Sequence, residues 1–245
     1  MGVSLIDGCH RATIHLTLWT TILIEAMITR MNTIHPRQKR RGSFSKTLLL
    51  RRLKREQRTL TMNEHLKPIF EVLLPELEKA QFNYWVYGGI SIAALGREFI
   101  RVNKDIDIFV RDTDFEKIKS VLDTLCNENN FKLKQYPTRN NERPKIEIKI
   151  NDIERFSMIP VYQTDDMVTF KYKDGDQEYS NQILERIERN TSGYRFFTPP
   201  SEFIKAMFIN HIRARPDKKK RKEIKKDAKA ILSPEELLSL DWVIE

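Results

Sequence analysis

A strand over 83–87, a Gly88-Gly89 break before a helix-compatible run to Gly96, and a second strand bearing Asp105 and Asp107 together constrain this chain most. Residues 83–87 are aromatic and β-branched, so the glycines mark a strand–turn–helix unit. Lacking Cβ, Gly88 and Gly89 let backbone N–H groups approach an anion, a helix N-terminus adds favourable partial charge, and Ser91 offers a hydroxyl donor. In 104–110 alternate side chains share a face, so Asp105 and Asp107 project together while Ile106, Ile108 and Val110 turn to the core. Adjacent carboxylates repel unless a cation intervenes, and magnesium prefers hard oxygens from one or two carboxylates plus substrate phosphates. Each half alone is a weak signal, since glycine pairs are commonly plain turns and aspartates commonly solvated. Combined in strand context, they point to metal-assisted phosphoryl chemistry on a nucleoside triphosphate.

The run Tyr87-Gly88-Gly89-Ile90-Ser91-Ile92-Ala93-Ala94-Leu95-Gly96-Arg97, followed by Arg101 and Lys104-Asp105-Ile106-Asp107-Ile108, resembles the core of the nucleotidyltransferase superfamily that includes the DNA polymerase β type enzymes. It is most similar to the small aminoglycoside and lincosamide nucleotidyltransferases and to toxin-type nucleotidyltransferases of bacterial defence, over about residues 83–161. The resemblance implies an α/β (α+β) fold, with a mixed sheet flanked by helices. It also implies two magnesium ions held by Asp105, Asp107 and a third acid, with transfer of a nucleoside monophosphate, AMP from ATP, onto an acceptor hydroxyl and release of pyrophosphate.

Our candidate third acid is Glu147. In Lys145-Ile146-Glu147-Ile148-Lys149-Ile150 the alternation puts three isoleucines on one face and Glu147 with two lysines on the other. Glu147 ligates metal or takes the acceptor's proton, or it merely pairs with its lysine neighbours, which is worth about 0–1 kcal/mol. In the aminoglycoside branch the third acid sits on a later strand, and the matching position here is Ser157, which neither binds magnesium strongly nor acts unaided as a base. Either Glu147 on the adjacent strand substitutes, or the site is catalytically weakened. Asn151-Asp152 reads as the hairpin turn between these strands.

Downstream, 194–202 reads as a strand ending in a proline-marked helix start, with helical periodicity over 203–213. In the resembling families a lysine early in this helix reaches the triphosphate, and Lys205 is the nearest match. Arg97, Arg101 and Lys104, flanking the glycine turn and the carboxylate strand, either neutralise phosphate or balance the acids. Residues 113–126 form an amphipathic helix, and 167–172 with a turn at 173–176 extend the sheet. The cationic stretch 217–232 docks RNA phosphates or is a solvated helix whose Ile224, Ala228 and Ile231 pack on the core. Tyr84, Trp85, Tyr136 and Tyr162 line an acceptor pocket or are ordinary core and strand-face rings.

Charge distribution locates the domain. The net charge of +9 resides in residues 1–61, with 12 Lys and Arg against 3 Asp and Glu, whereas 62–245 hold 31 of each. The catalytic part is therefore not a generally basic nucleic-acid binder. The apolar run 12–24 is too short to span a bilayer, and no convincing signal cleavage site follows. Two distant cysteines, Cys9 and Cys126, suit a reducing cytoplasm. The expected organisation is a disordered or mis-assigned leader over 1–61, a catalytic core over 62–175 and a C-terminal strand and helical extension over 176–245, with Asn63 capping the first helix. Three functions stay open: adenylylation of a small hydroxylated molecule, a toxin-like or regulatory transfer to tRNA or protein, and a non-catalytic nucleotide-binding descendant. No Walker loop or protein-kinase motif set is present, which disfavours a kinase.

Overall fold

A computed structural model describes residues 63–137, 144–172 and 175–240. The leader assigned to 1–61 and residues 173–174 of the 173–176 turn lie outside these.

The first helical stretch is three joined pieces, a 3-10 turn Glu64–Leu66, a wide π-type turn Ile69–Leu73 and the α-helix α1 (Leu74–Lys79). Pro68 and Pro75 explain the breaks, because each removes a backbone N–H that a continuous α-helix needs. Asn63 precedes the first turn as expected but does not cap it. Its amide instead bridges to a loop: Oδ1 accepts from the Asn103 N–H at 2.8 Å and Nδ2 donates to the Arg101 carbonyl at 3.2 Å. Asn63→Ala would leave the buried Asn103 N–H without a partner and the Arg101 carbonyl with only the Asn103 side-chain amide at 3.3 Å, and we expect a loss of about 1–3 kcal/mol in urea unfolding. A loss below about 0.5 kcal/mol, the range of ordinary surface changes, would mean the bridge is dispensable.

Strand β1 (Trp85–Tyr87) runs directly into helix α2 (Gly88–Leu95). Then come β2 (Ile106–Arg111), α3 (Phe115–Asn129), β3 (Lys132–Tyr136), β4 (Lys145–Ile150), β5 (Ile153–Gln163), β6 (Met167–Tyr172) and β7 (Gly175–Ser180). The main sheet has the order β1-β2-β5-β4-β3, with β6 on β5 and β7 on β6. Of these pairings β2 with β5 is parallel and the rest are antiparallel, a mixed sheet with helices against it. At the β4–β5 hairpin Asn151 and Asp152 both adopt positive φ (53° and 62°), the type I′ geometry that such residues tolerate. Helix α3 buries Phe115, Ile118, Leu122, Leu125 and Cys126, the amphipathic stripe read from the sequence, and stops at Asn130 in the left-handed conformation.

The sheet has two apolar faces. Ile106, Ile108 and Val110 lie in the main core with Ile146, Ile148, Phe156 and Met158. The opposite face carries Trp85 stacked on Phe109 at 5.2 Å, with Phe170, Val161 and Val168. A separate hairpin, β8 (Ile187–Thr191) with β9 (Tyr194–Thr198), leads through Pro199-Pro200 into α4 (Ser201–Ala214), followed by α5 (Lys222–Ile231) and α6 (Pro234–Leu238). Ile204, Phe208 and Ile212 of α4 meet Ala228 and Ile231 of α5 and Ile92 of α2, which fastens the C-terminal helices to the glycine helix. Among the described residues no helix is long and apolar enough to cross a membrane.

Candidate active site

Gly88 is the first residue of α2 and has φ +68°, a conformation that costs glycine least. Register pairs Tyr87 with Asp107, and a Cβ on Gly88 would sit 3.0 Å from Asp107 Oδ2, so the turn lies directly over that carboxylate. A Cβ on Gly89 would collide with the Arg101 guanidinium and the Asn103 amide oxygen. The glycine pair thus allows close approach on both sides, and the first-turn N–H groups of α2 have no intrahelical acceptors.

The turn and the acids open into one cavity of about 590 Å³ that includes Gly88, Gly89, Ser91, Arg101, Asp105 and Asp107 in its lining. Tyr87 and Tyr172 form part of its wall, and Ile204, Met207 and Phe208 give it an apolar side. Burial, then the charge of neighbouring Asp105, pushes the Asp107 carboxyl up to about 6; the Ser157 hydroxyl, donating to Asp107 Oδ1 at 2.5 Å, and the charge of Lys145 pull it back. Burial also raises both cavity phenols, Tyr87 with help from Asp107, and keeps them protonated hydrogen-bond donors at neutral pH. His211, another wall residue, is pushed down to about 4 by burial and by the charges of Lys218, Arg215 and Arg221.

Other candidates from the sequence sit differently. Ser91 lines the cavity, yet its hydroxyl donates to the Gly88 carbonyl. Arg101 lines it with its guanidinium held by Asp227, Nε to Oδ1 and Nη2 to Oδ2, each at 2.8 Å. Arg97 and Lys104 are exposed and outside the lining, and Lys205 is also outside it, with Glu236 3.5 Å away. Tyr84 and Trp85 are buried, and neither they nor Tyr136 and Tyr162 belong to the lining.

Glu147 stands one strand further out than a shared ligand would. Asp107 of β2 pairs with Ser157 of β5, which pairs with Glu147 of β4, so the three share a sheet face as a row. Lys145 Nζ holds Glu147 Oε1 at 2.9 Å and Glu154 Oε1 at 3.3 Å. Burial alone would lower the Lys145 pKa, but the Glu147 hydrogen bond and the charges of Glu154, Glu147 and Asp107 raise it above the ordinary lysine value. Among the described residues no three His, Cys, Asp or Glu side chains converge to hold a metal ion. The three-acid set expected from the sequence is therefore not assembled in this arrangement, because a serine occupies the middle of the row and a lysine binds the far acid. Two carboxylates lining this cavity, one with its charged form disfavoured by burial and by its acidic neighbour, do fit one divalent ion.

Residues 69–159 match the family model of aminoglycoside-2''-adenylyltransferase. No curated protein matches the chain in sequence. The solution structure of the antibiotic-resistance factor ANT(2'')-Ia superposes with a TM-score of 0.51 over 72% of this chain and 89% of its own, at 15% identity. The lincosamide antibiotic adenylyltransferase LnuA, with lincomycin bound, gives a TM-score of 0.49 over 68% and 96%, at 18% identity. At 15% identity the ANT(2'')-Ia likeness is one of fold.

Proposed function

We propose that this chain, which belongs to the nucleotidyltransferase superfamily, moves AMP from ATP onto a hydroxyl of a small-molecule acceptor. The carrying observation is that Asp105, Asp107 and the Gly88-Gly89 turn line one cavity. Asp105 and Asp107 would hold a magnesium ion, which supplies Lewis-acid neutralisation of the triphosphate. The N–H groups at the start of α2 take phosphate oxygens, and the Tyr87 and Tyr172 hydroxyls donate to the substrates. The apolar side at Ile204, Met207 and Phe208 suits the nucleobase or the body of the acceptor. In the reaction the acceptor oxygen bonds to the α-phosphorus, the bond to the β-phosphate oxygen breaks, pyrophosphate leaves and the hydroxyl proton is released.

A small acceptor is favoured over RNA by the C-terminal basic helix itself, whose Ala228 and Ile231 are buried and whose Ile224 packs against the same cluster. Support also comes from the adenylyltransferase family match. ATP labelled at the α-phosphate, incubated with magnesium and separate pools of aminoglycosides and lincosamides, RNA and protein, should label the small-molecule pool. Label confined to RNA or protein would reassign the acceptor. Label in none, with nucleotide still bound, would identify a binding protein.

A further inference from the structure

We propose that the Lys145 ammonium is the resident second cation of this site, so that one divalent ion, held by Asp105 and Asp107, accompanies the nucleotide. The proposal rests on the transfer reading above. Two ions about 3.5–4 Å apart need a bridging carboxylate and further anionic oxygens on the far side. In the row Asp107–Ser157–Glu147 the position beside Asp107 offers only a hydroxyl, and its proton already points at Asp107 Oδ1. The next carboxylate, Glu147, is 13% exposed and bound by Lys145; Glu154 is bound by the same ammonium.

Lys145 lies beside the cavity rather than in its lining, two residues before Glu147 on β4 and therefore on the same face of the sheet as the row. Its ammonium has three donors, two of which the glutamates use, and its charge acts on Asp107 as an opposite charge would. A second dication would meet this fixed positive charge and would have to displace the serine hydrogen bond. Glu147 in this arrangement is a positioning residue for Lys145 rather than a ligand.

Manganese counted by electron paramagnetic resonance, in the presence of α,β-methylene-ATP, tests this without relying on turnover. The wild-type chain should bind one ion per nucleotide, Lys145→Arg should also bind one, and Lys145→Met, which frees Glu147 and Glu154, should bind two. Two ions in the wild type, or a single ion in a folded Lys145→Met variant, would overturn the proposal and leave the transfer reading standing. Failure of the wild type to bind either manganese or the nucleotide would remove both. The wild-type count decides even if Lys145→Met does not fold.

Discussion

Asp107→Asn is expected to abolish transfer and, in the same molecule, to raise the melting temperature of the ligand-free protein at neutral pH. The transfer loss follows from removing a metal-holding charge at the reacting centre, roughly 10²–10³-fold or more by comparison with the loss of one preorganised stabilising group. The stability gain follows from linkage. Burial and Asp105 raise the Asp107 carboxyl from 3.8 to about 6, so the folded state disfavours the charged form. A raised carboxyl destabilises the fold where it must ionise. That penalty is absent below about pH 4, grows between pH 4 and 6 and is full above pH 6. A shift of this size corresponds to about 3 kcal/mol at most, at 1.36 kcal/mol per pH unit, and the access Asp107 keeps to the cavity makes the true figure smaller. Asparagine carries no charge and retains an oxygen for the Ser157 hydroxyl. In chelator, each kcal/mol gained should raise the melting temperature at pH 7 by about 2–4 °C, and the two proteins should converge near pH 4. A variant that melts lower than wild type at pH 7, or that still transfers at a normal rate, would show that Asp107 is a structural acid.

The strand–turn–helix unit and the alternation of β2 from Ile106 to Arg111 were legible because each is local: glycine chemistry and a period of two need no knowledge of partners, although Asp105, expected on the strand, stands one residue before it. Ser157 beside Asp107 and Glu147 beyond it follow from the β2–β5–β4 register, which arises from pairing between distant segments. The alternation of 145–150 placed Glu147 on the right face but could not say which strand would separate it from Asp107. The cavity aromatics were likewise out of reach, since Tyr172 comes to Tyr87 only through the β5–β6–β7 extension of the sheet. The local context of Asn63 permits a cap, but the loop at 101–103 offers its amide two backbone partners instead. Asp227 did have a signal. Ile224, Asp227, Ala228 and Ile231 fall at i, i+3, i+4 and i+7, so the acid lies on the packing face of an otherwise cationic helix, and a buried acid there requires a cation.

That cation is Arg101, and disrupting the pair carries the largest expected effect on stability. The Arg101 side chain is 15% exposed and that of Asp227 1%, with two parallel hydrogen bonds between them. Burial pushes the Asp227 carboxyl up, and the Arg101 bond and charge only partly offset this, so the acid depends on its partner. Asp227→Ala would leave a guanidinium that cannot lose its proton, and Arg101→Ala would leave a buried carboxylate; each should cost about 3–5 kcal/mol in urea unfolding. The double replacement Arg101→Met with Asp227→Leu removes both charges and should recover most of that loss, because well-packed apolar groups commonly substitute for buried pairs. The pair ties α5 to the glycine turn, where the missing Cβ of Gly89 makes room for the guanidinium. The nucleotide-binding role expected for Arg101 from its place after the motif predicts a different pattern: Arg101→Ala would weaken nucleotide binding with a stability loss under about 1 kcal/mol, and Asp227→Ala, by freeing the guanidinium, would strengthen it. That second pattern would identify Arg101 as a phosphate ligand and refute its assignment as a strut between the helix and the turn.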